Sequence, residues 1–280
     1  MILTFITALS LTAGIAQQAE TEAVPPPAEE RIEASLPDVY FYGVSIDAGL
    51  EDWPDVLAAI RAEEVAALTE FAAQAVADHQ AWVVDAPGWS WNEWSSNTDI
   101  SITLANSQVV SLDRRTSFYT GGAHPNQAIT PIVTLTGQYD PAGLRDLIAD
   151  TSAESPAMTA LFYAVYRELM ALKRERLGVD FDEAMERETW LAPLAAEPDA
   201  FPGFTLIPNE AGDAAAGLMF HFEPYAVGSY AEGSYDVPVP LSVFQDYLTP
   251  DWAEIFSGQP VRAVLTEPGD SLEPIIPEGE

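Results

Sequence analysis

The chain of 280 residues contains no cysteine and a single lysine, Lys173. The lack of cysteine excludes disulfides, zinc–thiolate sites, iron–sulfur clusters, cysteine nucleophiles and lipid attachment through an N-terminal cysteine. Basic residues are scarce, with 11 Lys and Arg against 44 Asp and Glu and a formal net charge of −33. Because such a chain repels phosphates and attracts basic proteins, we expect no nucleic-acid partner. The alternative is that the acidity serves solubility or a salty habitat.

Common catalytic motifs are also missing. The sequence has no GxSxG, HExxH, GxxxxGK(S/T) or GxGxxG, and His79, His124 and His221 lack metal-ligand spacing. We therefore predict no cofactor and no metal, apart from a site assembled only in space. The densest acidic run lacks the glycine and ligand spacing of a calcium loop and is interpreted as a solvated helix face. It consists of Asp180, Asp182, Glu183, Glu186 and Glu188.

A long uncharged apolar run occurs only at the start of the chain. Residues 1–16 end in small residues and are predicted to be a signal peptide, since sixteen residues are short for a membrane anchor. We expect a periplasmic or secreted protein with no membrane span after signal removal. Residues 17–37, rich in Pro, Glu and Ala, are predicted to be a disordered linker, and residues 266–280 an acidic tail.

The apolar content, 48% of the residues, is sufficient for a folded core. Strands are predicted at 39–46, 89–94 and 99–105, then in QVVSLD, SFYT and AITPIVTLT, and later in GFTLIP, GLMFHFE and DVPVP. Helices are predicted from Pro54 to about His79, from Ser155–Pro156 to Gly178, and in LSVFQDYL and TPDWAEIF. This order indicates an α+β fold, with mostly antiparallel sheets packed against a few helices.

The string YTGGAHPN, residues 119–126, contains the most distinctive candidate for a functional loop. Its two glycines permit unusual backbone shapes, and His124 is either a general base or metal ligand, or part of a structural turn with its imidazole bonded to nearby backbone. The cluster Trp89, Trp91 and Trp94 suits either a carbohydrate or protein contact or the core. Alternation places His221 on the wetter face of its strand.

The ordered motifs YTGGAHPN, DPAGLRDLI, GFTLIPNEAG, GLMFHFEPYAVGSYAEG and DVPVPLSVFQDYL resemble the extracytoplasmic module of RsiV-type anti-sigma factors. The same module precedes the catalytic domain of PdaC-type peptidoglycan deacetylases. The resemblance implies a two-part module, with a PdaC N-terminal-like part at 38–127 and an RsiV-like part at 128–265. It covers the module alone, without a sigma-binding segment or a deacetylase domain.

The resemblance implies a binding protein of the cell envelope, because the RsiV module is a receptor for lysozyme. We therefore expect a non-catalytic protein whose ligand is a lysozyme-like basic protein or cell-wall glycan. The alternatives are a carboxylate-based hydrolase of cell-wall polymers and an envelope assembly factor. The candidate binding residues come from the two glycine-containing segments and are Tyr119, Gly121, Gly122, His124, Asn126, Tyr225 and Tyr230.

Overall fold

The structure, a computed structural model, describes residues 30–261, so the predicted signal peptide and acidic tail lie outside the described residues. The first half forms a six-stranded sheet in the order β1-β2-β3-β4-β5, with β6 also paired to β4. Only β2 and β3 are parallel, and the other neighbouring strands in this sheet are antiparallel. The strands are β1 (Glu30–Leu36), β2 (Tyr40–Ile46), β3 (Trp94–Ala105), β4 (Val109–Tyr119), β5 (Asn126–Ile129) and β6 (Ile132–Leu135).

The parallel pair is connected by one long helix, α1 (Pro54–Asp85), which begins with proline in its first turn. Leu57 and Ile60 on this helix are buried against β2 and β4, in a core that includes Val44 and Leu112. The helix continues six residues past the predicted end at His79. This extension carries Trp82 and Asp85 to the end of the sheet where β4 leads into the YTGGAHPN string.

The second half contains an antiparallel sheet of three strands, β7 (Phe204–Pro208), β8 (Ala215–Phe222) and β9 (Tyr235–Pro240). The main helix, α3 (Pro156–Leu177), packs on β9. Ser155 caps this helix by accepting a hydrogen bond from the Met158 amide, and Gly178 ends it at φ +54°, as the sequence predicted. The short helices are α2 (Leu144–Leu147), α4 (Glu183–Met185), which leads into a π-helical turn (Glu186–Trp190), and α5 (Pro250–Ala253).

The two sheets share a core. Leu104, Val109 and Val133 from the first sheet are buried together with residues of α3 and of the second sheet. The Ser111 hydroxyl of β4 accepts a hydrogen bond from the Leu206 amide of β7 at 2.9 Å. The predicted boundary between residues 127 and 128 falls inside β5, which pairs with β4, so the first sheet continues to Leu135.

The α+β fold with mostly antiparallel sheets is confirmed. Several local predictions are wrong because tertiary pairing overrides composition. Residues 30–36 of the expected linker form strand β1, and residues 89–93 of the expected tryptophan strand form a loop. LSVFQDYL forms two short 3-10 turns instead of one helix. No helix within residues 30–261 has the length and apolar composition needed to cross a bilayer.

Candidate functional site

Two loops that are about a hundred residues apart in sequence meet in the fold. The first, residues 120–125, follows β4, and the second, residues 223–234, connects β8 to β9. We call them the loop pair. The Tyr230 hydroxyl donates a hydrogen bond to the Pro125 carbonyl at 2.6 Å, and the Tyr230 ring stacks on His124 with centroids 3.9 Å apart. The structure therefore brings together the two segments that the sequence predicted as candidate binding loops.

The first loop is held in shape by its own side chains. Tyr119 donates from its hydroxyl to the Gly122 carbonyl at 3.0 Å. Gly121 and Gly122 have φ values of +97° and +102°, which favour glycine. His124 places Nδ1 2.8 Å from the Pro125 carbonyl, the kind of backbone contact that the structural interpretation of this histidine predicts. Asn126 is the first residue of β5 and pairs with Phe118 of β4.

The second loop is anchored by the single lysine. Lys173 of α3 is fully buried, and its ammonium donates to the Val227 carbonyl at 2.8 Å and to Glu232 at 2.5 Å. Glu186 pairs with the same ammonium at 2.9 Å. The interpretation of Glu186 as part of a solvated helix face is therefore wrong, because the π-helical turn directs this carboxylate into the interior.

Glu232 is the centre of the anchor. Besides Lys173, it accepts hydrogen bonds from the Ser229 amide at 2.6 Å and the Tyr235 hydroxyl at 2.8 Å. Burial alone would raise the pKa of Glu232, but these hydrogen bonds and the charge of Lys173 outweigh it and hold the pKa below its usual value. Burial, together with the Glu232 carboxylate, raises the pKa of Tyr235. The loop that carries Tyr225 and Tyr230 is therefore fixed to α3 by a charged network.

Residues of the loop pair line two concave surfaces. The larger has a volume of about 450 Å³, and we call it the tryptophan groove. The smaller has a volume of about 320 Å³ and is lined in part by Pro125, Asn126, Tyr230 and Glu232. The groove is lined mainly by the end of α1, by the loop before β3 with the first residue of β3, and by the two glycines of the first loop. Its lining includes Asp78, Trp82, Asp85, Trp91, Trp94 and Gly121.

The tryptophans of the predicted cluster divide between the groove and solvent. Trp91 and Trp94 are half-buried and stacked, with centroids 5.8 Å apart, whereas Trp89 is 77% exposed. Trp82, which sequence reasoning missed as a site residue, packs edge-on against Trp91 at 5.9 Å. The available signal is the position of Trp82 near the end of the Ala-rich segment, but the predicted helix end at His79 lies six residues, almost two turns, before the observed end.

A hydrogen-bonded set of side chains that resembles a hydrolase triad lies where the two sheets meet, with His221 and Thr205 buried and Asp236 exposed. His221 places Nδ1 2.7 Å from Asp236 and Nε2 2.9 Å from the Thr205 hydroxyl. The expectation that His221 faces solvent is wrong, because the first sheet covers its side of β8 and leaves it 3% exposed. Thr205 is 2% exposed, so its hydroxyl cannot contact a substrate in this structure.

These hydrogen-bonded side chains instead join the two sheets. Arg115 of β4 donates to both oxygens of Asp236 at 2.9 Å. Burial alone would raise the pKa of Asp236, but the hydrogen bonds and charges of His221 and Arg115 hold it below its usual value. The described residues contain no group of three or more His, Cys, Asp or Glu side chains arranged to hold a metal ion.

No protein-family model and no curated protein matches this chain. Its fold is similar to that of a DUF3298 family member from Bacteroides fragilis, with a TM-score of 0.52 and 15% identity, over 81% of this chain and 96% of the other. A DUF3298 family protein from Pseudomonas aeruginosa aligns with a TM-score of 0.46 and 15% identity, over 83% and 98% of the two chains. These structural neighbours carry an uncharacterised domain, and at this identity the similarity concerns the fold.

Proposed function

We propose that this protein is a non-catalytic binding protein of the periplasm or cell exterior, and that it uses the loop pair and its flanking concave surfaces to bind a basic protein of the lysozyme type. The observation that carries the proposal is the convergence of the loop pair into one ordered surface. Tyr230, His124 and Pro125 contact one another directly, although the segments are distant in sequence. The resemblance to RsiV-type modules suggests the ligand class.

The backbone at Tyr225 also favours a binding role. This residue is 55% exposed and has a φ of +73°, a conformation that costs a non-glycine residue about 1–3 kcal/mol. Its ring lies 5.6 Å from that of Tyr230, so two tyrosines stand together at the loop surface. Tyrosine is enriched at binding hot spots because it offers a large contact area and a polar tip.

The charge distribution supports a basic partner. Most basic side chains within residues 30–261 are already held by the chain's own carboxylates, as in Arg114 with Glu63 and Arg145 with Asp199. These residues are therefore not free to attract an acidic ligand. The large acidic excess of the chain instead favours fast encounter with a positively charged protein.

The carboxylate-based hydrolase would need two acids facing each other across a cleft, one of them with a raised pKa. Burial raises the pKa of Glu168 on α3, but Glu168 lines neither of the two concave surfaces. Glu232, which lines the smaller surface, has a lowered pKa and is paired with Lys173. These surfaces therefore favour the binding protein over the hydrolase.

Calorimetry with a basic lysozyme at about 50 mM and about 150 mM salt tests the proposal. We expect binding that weakens but persists at the higher salt, and no binding to the same lysozyme after its lysines are succinylated. The substitution Y225N removes the tyrosine ring and introduces asparagine, which tolerates positive φ, and it should weaken binding about tenfold. The control V65Q changes an exposed residue twenty positions before the end of α1, about 30 Å along the helix from Asp85, and should have no effect.

Two results would contradict the proposal. One is the absence of binding at low salt, or binding that disappears completely at the higher salt, which indicates charge attraction alone. The other is release of soluble fragments from peptidoglycan by the purified protein, abolished by substituting one carboxylate. The second result would establish the hydrolase in place of the binding protein.

A further inference from the structure

We propose that the tryptophan groove is a receptor site for one arginine or lysine side chain of the partner protein. This inference rests on the proposed function and specifies which chemical group is recognised and where.

The groove lies at the C-terminal end of a helix of 32 residues. Aligned peptide dipoles give this end a partial negative charge, and helices usually place Lys, Arg or His in the last turn to offset it. The last turn of α1 contains no basic residue and ends in Asp85, which adds a full negative charge at the same point. The helix end is therefore electrostatically uncompensated by its own side chains, which favours a cation brought by the partner.

Two carboxylates of the groove are available to such a cation. Asp78 accepts one hydrogen bond, from Gln74 to Oδ1 at 2.9 Å, which leaves its Oδ2 without a partner among the described residues. The Asp85 side chain is exposed, and its carboxylate has no hydrogen-bond or ion-pair partner within residues 30–261. The groove lining contains no basic side chain, so both acids face a ligand-sized space with no internal counter-charge.

The indoles give the groove its aromatic walls. Their orientation is fixed, because the Trp91 N–H donates to the Val39 carbonyl at 3.1 Å and the Trp82 N–H to the Trp89 carbonyl at 3.3 Å. Trp91 stacks on Trp94 with an interplanar angle of 22°. A guanidinium or ammonium group over an indole face gains a cation–π attraction, and tryptophan is the strongest aromatic partner for it.

A neutral sugar ring is the competing occupant, since it also stacks on indoles and hydrogen-bonds carboxylates. A sugar, however, would leave the charges of Asp85, Asp78 and the helix end uncompensated. A cation compensates all three, and the overall charge of −33 attracts cations before contact. The charge complementarity therefore favours the cationic side chain.

The test uses the complete mature protein labelled with ¹⁵N-tryptophan. The probe is a blocked tripeptide, acetyl-Arg-Gly-Arg-amide, and the control peptide replaces both arginines with citrulline, which keeps the shape and removes the charge. We expect the arginine peptide to shift the indole N–H signals of Trp82 and Trp91 and to leave that of the buried Trp252 unmoved. An oligomer of N-acetylglucosamine forms the third arm.

Variants locate the site. D85N and D78N should each weaken peptide binding about two- to fivefold, since each carboxylate is partly solvent-accessible. W82L should weaken it by a similar factor. The matched control is E70Q, which removes an exposed charge from the same helix about 22 Å from Asp85.

Equal shifts with the arginine and citrulline peptides, or equal loss of binding in E70Q and D85N, would overturn the inference. Shifts with the sugar oligomer alone would replace it with a glycan site. The outcome is separable from that of the proposed function. Undiminished lysozyme binding by D85N and W82L, without peptide shifts, would refute the groove and leave the binding protein intact. Peptide binding without lysozyme binding would support the groove as a cation site and refute the lysozyme-type binding protein.

Discussion

Substituting Lys173 with methionine removes a fully buried positive charge and keeps most of the side-chain volume. Glu186 and Glu232 would then face each other in the interior without a counter-charge, because both pair with the Lys173 ammonium. The Val227 carbonyl would also lose its donor. We expect this single change to destabilise the protein more than any substitution of a surface ion pair.

The magnitude follows from the burial of the three groups. Removing one partner of a buried ion pair costs about 3–5 kcal/mol, because the remaining charge loses both water and its partner. A natural domain has a free energy of unfolding of about 5–15 kcal/mol, so the variant K173M loses a large part of it. With an m-value of about 2–3 kcal/mol per molar urea, the unfolding midpoint should fall by about 1–2.5 M.

The assay is urea unfolding followed by tryptophan fluorescence at about pH 7 and about pH 4. In the parent, the pKa of Glu232 is lowered on folding, so its contribution to stability is present above the unfolded pKa and declines as the pH falls through the folded pKa. In K173M the Glu232 carboxylate loses the hydrogen bond and the charge of Lys173 that help to lower its pKa, so this pKa rises and protonation restores stability as the pH falls. The difference between the two proteins should therefore shrink at the lower pH.

A rescue variant separates charge from packing. K173M combined with E186Q and E232Q carries no buried charge in the cluster, and we expect it to recover at least half of the lost free energy. A loss below about 1 kcal/mol in K173M would refute the reasoning, as would a difference that grows on acidification. Failure of the triple variant to recover would show that packing or the Val227 hydrogen bond dominates.

Two further predictions concern the junctions between the sheets. Y230F removes the hydrogen bond to the Pro125 carbonyl and keeps the stacking on His124, so the free energy of unfolding should fall by about 0.5–1.5 kcal/mol. An unchanged free energy in urea unfolding would contradict this role of the hydroxyl. D236N should lower the stability at about pH 7. It should also reduce the stability that is lost between about pH 7 and pH 3, because the parent loses the contribution of Asp236 as the pH falls through its lowered pKa. Thermal unfolding in which parent and variant lose the same stability on acidification would contradict this prediction.

The elements with strong local signals could be predicted from the sequence. The cap at Ser155, the proline after it and the stop at Gly178 define α3, because capping and backbone conformation are decided within a few residues. Strict alternation defines β3 over residues 99–105 in the same way. The glycines and aromatic residues of the two candidate loops, which are also local features, indicate these segments from the sequence alone.

The contacts between distant residues could not be predicted. Alternation in β8 predicts a solvent-facing His221, because alternation gives the side of the strand on which a residue lies and not what covers that side. In the structure β4 covers it. The acidic run predicts a solvated position for Glu186, whereas the structure buries it beside a counter-charge that comes from another helix. Residues 30–36 lack a strong strand signal and form an edge strand because β2 offers a partner.

The sequence by itself determined the α+β class, the acidic charge, the exclusion of cysteine chemistry and the identity of the two loops, since each is a property of composition or of short segments. Only the tertiary structure decided that the loops contact each other, that the single lysine anchors one of them, and that the end of α1 forms a groove with the tryptophans. The physical reason is that burial and ion pairing depend on which distant side chains meet, and the chain fixes those meetings only when the whole core packs.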